Sequence, residues 1–239
     1  GGALSGEGVY SQTTNSTSIV FDKTAPAVSS VSPVFSQARY ILGDSIDFEM
    51  KFTEPVYINP VQGSGPFIML DLGDSLSGAT YATGSGTQNL VFRYFVNEGD
   101  YSQDLDYTSE SAFVFSEGQI TDQAGNASGG LLPALGSEGS LGFYNILVDG
   151  ERPFVKASTI YSGHTNSSHD ASGEEVNLSF VTSEPVSSPL VLISGQSVMI
   201  SGSGDTLWTA TKIMSDSDSE GPVSFSVSVA DINGNSATD

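Results

Sequence analysis

Residues 43–56 read GDSIDFEMKFTEPV, and residues 173–186 read GEEVNLSFVTSEPV. In the first stretch Ile46, Phe48, Met50 and Phe52 alternate with Asp47, Glu49 and Lys51; in the second, Val176, Leu178 and Phe180 keep the same step. A period of two sends apolar side chains to one face of a strand and polar ones to the other, the pattern of an antiparallel strand with one buried face. Both stretches close on Glu-Pro-Val, where proline removes a backbone donor and interrupts pairing.

These strands sit inside a longer repeat. FDKTAPAV at 21–28 is echoed by VDGERPFV at 148–155, and GQITDQAGNAS at 118–128 by VSVADINGNSA at 227–237. The order is the same each time: an acidic junction with proline, an alternating strand ending in Glu-Pro-Val, an apolar stretch, then Asp-x-x-Gly-Asn. Self-similarity on this scale points to a modular array. Further period-two runs at Leu90, Phe92, Tyr94, Val96 and at Phe225, Val227, Val229 are separated by Gly, Ser, Asn and Asp clusters, and no long 3.6-residue stripe occurs. The reading is all-β, with tandem immunoglobulin-like antiparallel sandwiches end to end. The copies set the boundaries at 24–150 and 151–239. The second copy is expected to lack its final strand, and residues 1–23 to be the terminal strand of a preceding module or a donor strand. VYSQTTNSTSIVFD at 9–22 resembles SLGFYNILVD at 140–149, the last strand before the second junction.

The chain of 239 residues carries 28 Asp plus Glu against 7 Lys plus Arg, a formal charge of −21. That balance argues against nucleic acid or an anionic membrane as partner, since both need a basic face. It suits a soluble surface, with or without bound cations. Cysteine is absent, so stability is left to the core, to bound ions, or to both. No apolar run approaches the ~20 residues of a membrane-spanning helix, so no direct membrane insertion is expected. Catalysis is not expected either. The two histidines, His164 and His169, lie in a polar loop, the serines lack a Gly-x-Ser-x-Gly elbow, and the acids fall at repeated positions rather than in one place. Trp208 alternates as a core anchor. Tyr57, Tyr81 and Tyr101 are the aromatics that a carbohydrate-binding face would use.

The acidic-x-x-x-Pro junctions, Glu-Pro-Val, GDYSQDLDY at 99–107, GQITDQAGNAS and the SEGSLG…ILVDG tail at 137–150 resemble tandem bacterial Ig-like repeats of giant surface adhesins and related extracellular fibres. The likeness covers nearly all of 24–150. Residues 151–239 keep SEPV and DINGN but lack the DLDY segment. The resemblance implies sandwiches strung end to end at the bacterial cell surface, mostly acting as spacers and often stiffened by Ca²⁺ at their junctions. It implies neighbouring Ig-like modules of the same or an adjacent chain as partners, and a cell-surface glycan or protein receptor as a further one.

In such a sandwich the loop after the second strand and the loop between the last two strands both face the preceding linker. Asp22, Glu54, Asp122 and Asn126 would then gather at the first junction, and Asp149, Glu184, Asp231 and Asn235 at the second. Ca²⁺ takes 6–8 hard oxygen ligands, so each set is a partial shell. Asp100, Asp104 and Asp106 form a further acidic cluster expected near the second junction. Two readings of each junction stay open: a Ca²⁺ site, or a dry polar turn in which Asp caps its own loop. Asp216, Asp218 and Glu220 read as a solvated loop.

Overall fold

The computed structural model describes residues 21–35, 38–59, 65–73, 77–163, 169–202 and 206–239. Residues 1–20 lie outside the described residues, and with them nearly all of the strand expected over 9–22. His164 does too. The described residues form strands, turns and a short 3-10 turn at Leu141–Phe143. Among them no helix is long and apolar enough to cross a membrane.

The alternating stretch at 43–56 becomes the long strand Ser45–Ile58. Ile46, Phe48, Met50 and Phe52 are all buried on one face, as the period of two requires. This strand is flanked by Val28–Pro33 and Thr87–Phe95, and the sheet continues through Gly78–Thr83, Phe67–Met69 and Phe113–Val114. Ile120–Thr121 pairs with its far end. A second sheet consists of Arg39–Ile41, Leu147–Asp149 and Tyr101–Ser102, with Leu147–Asp149 parallel to the first and antiparallel to the last. Side chains of both sheets share one core, in which Phe48, Phe92 and Leu90 meet Tyr40 and Val148.

The second half also packs two sheets on one core, with fewer residues and all pairs antiparallel. Val155–Ser162, Glu175–Thr182, Leu207–Ile213 and Met199–Ser201 form one sheet; Gln196–Ser197, Val186–Ile193, Phe225–Asp231 and Ser236–Thr238 form the other. The chain leaves the first sheet after Glu175–Thr182, runs Val186–Ile193 in the second, and returns, which is the exchange of an immunoglobulin-like sandwich. Val176, Leu178, Phe180 and Trp208 from one sheet pack on Val191, Ile193, Val227 and Val229 from the other. Trp208 is buried, as its alternation predicts, whereas Phe225 stays 39% exposed at the start of its strand.

Three details depart from the sequence reading or extend it. Ser236–Thr238 pairs antiparallel with Ser228–Ala230, which corrects the expectation that the second copy lacks a final strand: the Asp231–Asn235 turn reverses the chain, and the next three residues already find a partner. Asp218 is not solvated. Its carboxylate meets Lys212 Nζ at 2.5 Å with both side chains buried, and Lys212 also donates to Gln196, because an inward-facing lysine on a core strand needs an anionic partner. Finally, each first strand carries a register shift just after its proline, between Val28 and Ser30 and between Val155 and Ala157. The bulge bends the incoming chain at the same place in both halves.

Candidate metal centre

The repeated letters converge where chain enters each sandwich. In the first half Ala27 and Thr53 exchange two hydrogen bonds: the Ala27 N–H donates to Thr53 Oγ1 at 3.1 Å, and the Thr53 N–H to the Ala27 carbonyl at 2.9 Å. Phe154 and Ser183 repeat this with 2.9 and 2.8 Å. The hydroxyl residue before Glu-Pro-Val therefore clamps the linker beside the glutamate. The sequence carries this signal as Thr in one copy and Ser in the other, and a reading centred on the acids passes over it.

At the first junction one ligand oxygen each from Asp22, Glu54 and Asp122 lies within 4.8 Å of the others. Two oxygens bound to one Ca²⁺ lie at most about 5 Å apart, twice the usual metal–oxygen distance. The three carboxylates can therefore share one ion. Each is held by a different device. Asp22 Oδ1 accepts the Thr24 N–H at 2.8 Å, an Asx turn that sets the linker. Glu54 stands on the strand that Thr53 clamps. Asp122 accepts the Asn126 N–H at 2.8 Å and the Asn126 side-chain amide at 2.7 Å.

The charges respond differently. Burial first, then the carboxylates of Asp22 and Asp122, push the Glu54 carboxyl above the ordinary glutamate range. Burial works against ionisation of Asp122 as well, but the Asn126 amide and the N–H groups of Asn126, Gly125 and Ala124 outweigh it and hold Asp122 below its usual range. The named influences on Glu54 are thus desolvation and like charge, both of which a bound cation would offset. Asn126 also directs its amide nitrogen to the Asp22 carbonyl at 3.4 Å, so only its Oδ1 is left to act as a ligand.

The second junction keeps the skeleton and changes the contents. Asp149 Oδ1 accepts the Glu151 N–H at 3.1 Å, the counterpart of the Asp22 turn. Asn235 donates to the Asp149 carbonyl at 3.0 Å and to Asp231 Oδ2 at 2.9 Å, the counterpart of Asn126. Burial, then Asp231, Asp149 and Glu151, push Glu184 upward. Among the described residues, however, Asp149, Glu184 and Asp231 do not meet the separation that unites the first trio. The Asn233 side chain donates to the Asp149 carboxylate instead.

Asp100, Asp104 and Asp106 do not form a shared oxygen cage either. The Asp100 carboxylate accepts the Tyr94 hydroxyl at 2.5 Å and the Asn97 N–H at 2.7 Å, while its carbonyl accepts the Gly150 N–H at 2.7 Å. Asp104 is exposed. Asp106 accepts the N–H groups of Tyr107 and Gly136 at 2.9 and 3.0 Å. The Asp100 turn thus seats the second linker, and it requires Gly150, where a Cβ would lie 2.0 Å from the Asn97 carbonyl oxygen.

No family model matches this chain. No curated protein matches it. Among solved structures it is similar to the human OSCAR ligand-binding domain, at 10% identity and a TM-score of 0.28, over 91% of this chain and 96% of that one. The sandwich assignment rests on the strand pairing above, not on this likeness.

Of the aromatics that a carbohydrate face would need, Tyr81 packs edge-on against Phe92 at 6.0 Å, and Tyr57 and Tyr101 are partly exposed on different strands, Ser45–Ile58 and Tyr101–Ser102.

Proposed function

We propose that this chain is a structural segment of an extracellular bacterial surface adhesin or fibre, and that Ca²⁺ held by Asp22, Glu54 and Asp122 stiffens its first junction. The observation that carries the reading is the approach of these three carboxylates at the base of a linker. Ca²⁺ would draw remaining ligands from Asn126 Oδ1, backbone carbonyls and water. Its role there is electrostatic: it offsets the mutual repulsion and ties the linker acid to two loops of the following sandwich. The absence of cysteine and the charge of −21 suit an extracellular β-protein that relies on cores and ions. The repeat itself suits a spacer whose working parts are its junctions.

The test is calorimetric titration of the whole chain with CaCl₂. Binding is expected, and Glu54→Gln is expected to weaken it by about tenfold or more, since affinity follows ligand charge. Asp22→Asn combined with Glu54→Gln is expected to abolish it. Absence of binding at millimolar Ca²⁺, or unchanged binding in the double variant, would sink the reading. The donor-strand alternative is disfavoured by the pairing of Ser236–Thr238 with Ser228–Ala230, which occupies part of the edge that an incoming strand would need.

A further inference from the structure

The two junction loops, DQAGN at 122–126 and DINGN at 231–235, differ at their second residue, Gln123 against Ile232, and at their third, Ala124 against Asn233; the third is the one whose side chain reaches the linker acid at the second junction. That residue changes what faces the linker acid. The Asn233 side chain donates to the Asp149 carboxylate, and its backbone N–H donates to Asp231 Oδ1 at 2.7 Å. Alanine at the first junction has no side-chain donor to offer, and there Asp22 approaches the other two carboxylates.

Donors supplied by the chain continue beyond the loop. Asn235 Oδ1 accepts the Leu42 N–H from the first sandwich at 3.0 Å, while the same side chain donates to Asp149 and Asp231. Arg39, also from the first sandwich, donates to the Ile232 carbonyl at 2.9 Å. Gly150 is hydrogen-bonded to the Asp100 turn, and Arg152 lies 3.3 Å from Glu98. The Leu42, Arg39 and Glu98 contacts cross from the first sandwich to the next segment, and the Gly150 contact fixes the linker between them. Asp149, Asp231 and Asn235 are all buried, and buried acids of this kind need donors or a cation. Here the donors are supplied by the chain.

We propose that the second junction is an ion-free latch, in which the Asn233 amide takes the role that a divalent cation fills at the first. The contrast rests on the cation reading of the first junction; the latch stands on its own contacts. The third residue of Asp-x-x-Gly-Asn then decides the class of junction: a donor makes a permanent latch, and a residue without one leaves a cation-dependent hinge. One chain would thus combine a stiff joint with a gated one.

The cysteine-free chain permits a direct test, because Ala82→Cys and Ala157→Cys place spin labels on exposed strand positions of the two sandwiches. Pulsed electron resonance then reads the distance distribution across the second junction. A narrow distribution is expected in CaCl₂ and unchanged in EDTA. Asn233→Ala is expected to broaden it in EDTA, and Asn233→Asp, of equal size but without the amide donor, to broaden it further. Broadening of the parent protein in EDTA would overturn the latch, as would an unchanged distribution in both variants. Circular dichroism of each variant separates loosening from unfolding. If a variant unfolds, hydrogen exchange at Leu42, whose N–H the latch protects, decides in the parent protein: protection lost in EDTA overturns the proposal, and protection retained supports it. Ala124→Asn addresses the contrast separately. It is expected to weaken Ca²⁺ binding by about tenfold or more, and unchanged affinity would refute the stated role of the third residue. Failure of the parent protein to bind Ca²⁺ would remove the first-junction reading and leave the latch standing.

Discussion

At Asp122–Asn126 and at Asp231–Asn235 the chain makes the same turn. The aspartate accepts the N–H and side-chain amide of the asparagine four residues on, and that amide also reaches the carbonyl of the linker aspartate. In both places a glutamate before proline is pushed up by burial and neighbouring acids. Only the first junction draws its three carboxylates within one ion's reach, and only the second places an asparagine amide on the carboxylate of the linker acid. A repeated motif therefore specifies a shape, a polar turn under a linker. What fills that shape is decided by a residue that the motif leaves free.

Four experiments would break or sharpen the comparison. The largest effect is expected from Phe180→Ala. The second core is the smaller one, and losing a buried ring costs about 3–5 kcal/mol. Calorimetry should show the second sandwich melting first while Ca²⁺ binding at the first junction survives. Loss of binding would mean that the two halves are one cooperative unit, and the comparison would fail. Next comes Gly150→Ala, whose Cβ would press on the Asn97 carbonyl. A cost of about 1–3 kcal/mol is expected for such overpacking, read as faster hydrogen exchange at Leu42 and Asn235. The first junction should not respond.

Thr53→Val and Ser183→Ala each remove one linker hydrogen bond, for about 1 kcal/mol apiece. The two changes should be alike in melting temperature without Ca²⁺. With Ca²⁺ the Thr53 variant should regain more of its loss, because an ion bound at the proposed site would hold the first linker independently. The last comparison is read in acid and concerns Asp218, the buried partner of Lys212. The Lys212 hydrogen bond, then the Ser215 N–H, hold its carboxyl below the ordinary aspartate value of 3.8. The unfolded chain therefore takes up a proton before the folded one as pH falls. The stabilisation is complete above 3.8 and is lost as pH drops through the folded value. Acid unfolding of the second sandwich should be shallower in Asp218→Asn. An identical acid profile would show that the pair contributes nothing.

Much of this was legible from letters alone. Alternation at Ile46–Phe52 and Val176–Phe180 marks the core strands, because a strand with one wet face leaves that period in the sequence. The matching positions of Glu-Pro-Val and Asp-x-x-Gly-Asn predict that Asp22, Glu54 and Asp122 meet, and they do. The burial of Asp218 was not legible. SDSDSEG has the composition of a wet loop, and only the inward face of Lys212 on Leu207–Ile213 gives its middle acid a partner. The roles of Asp100 and Asp106 were hidden likewise, since an acid that caps N–H groups and one that binds a metal are the same letter.

The sequence by itself determined an all-β chain, the repeat, and which residues crowd at each linker, because local periodicity and turn chemistry are written in near neighbours. Tertiary structure alone decided what the crowding amounts to. The distance among Asp22, Glu54 and Asp122, the reach of Asn233 to Asp149, and the contacts of Leu42 and Arg39 with the distant 231–235 loop join segments up to 193 residues apart. Whether buried acids end up facing one another or facing a donor depends on ångström-scale positions in three dimensions, and no spacing along the chain records them.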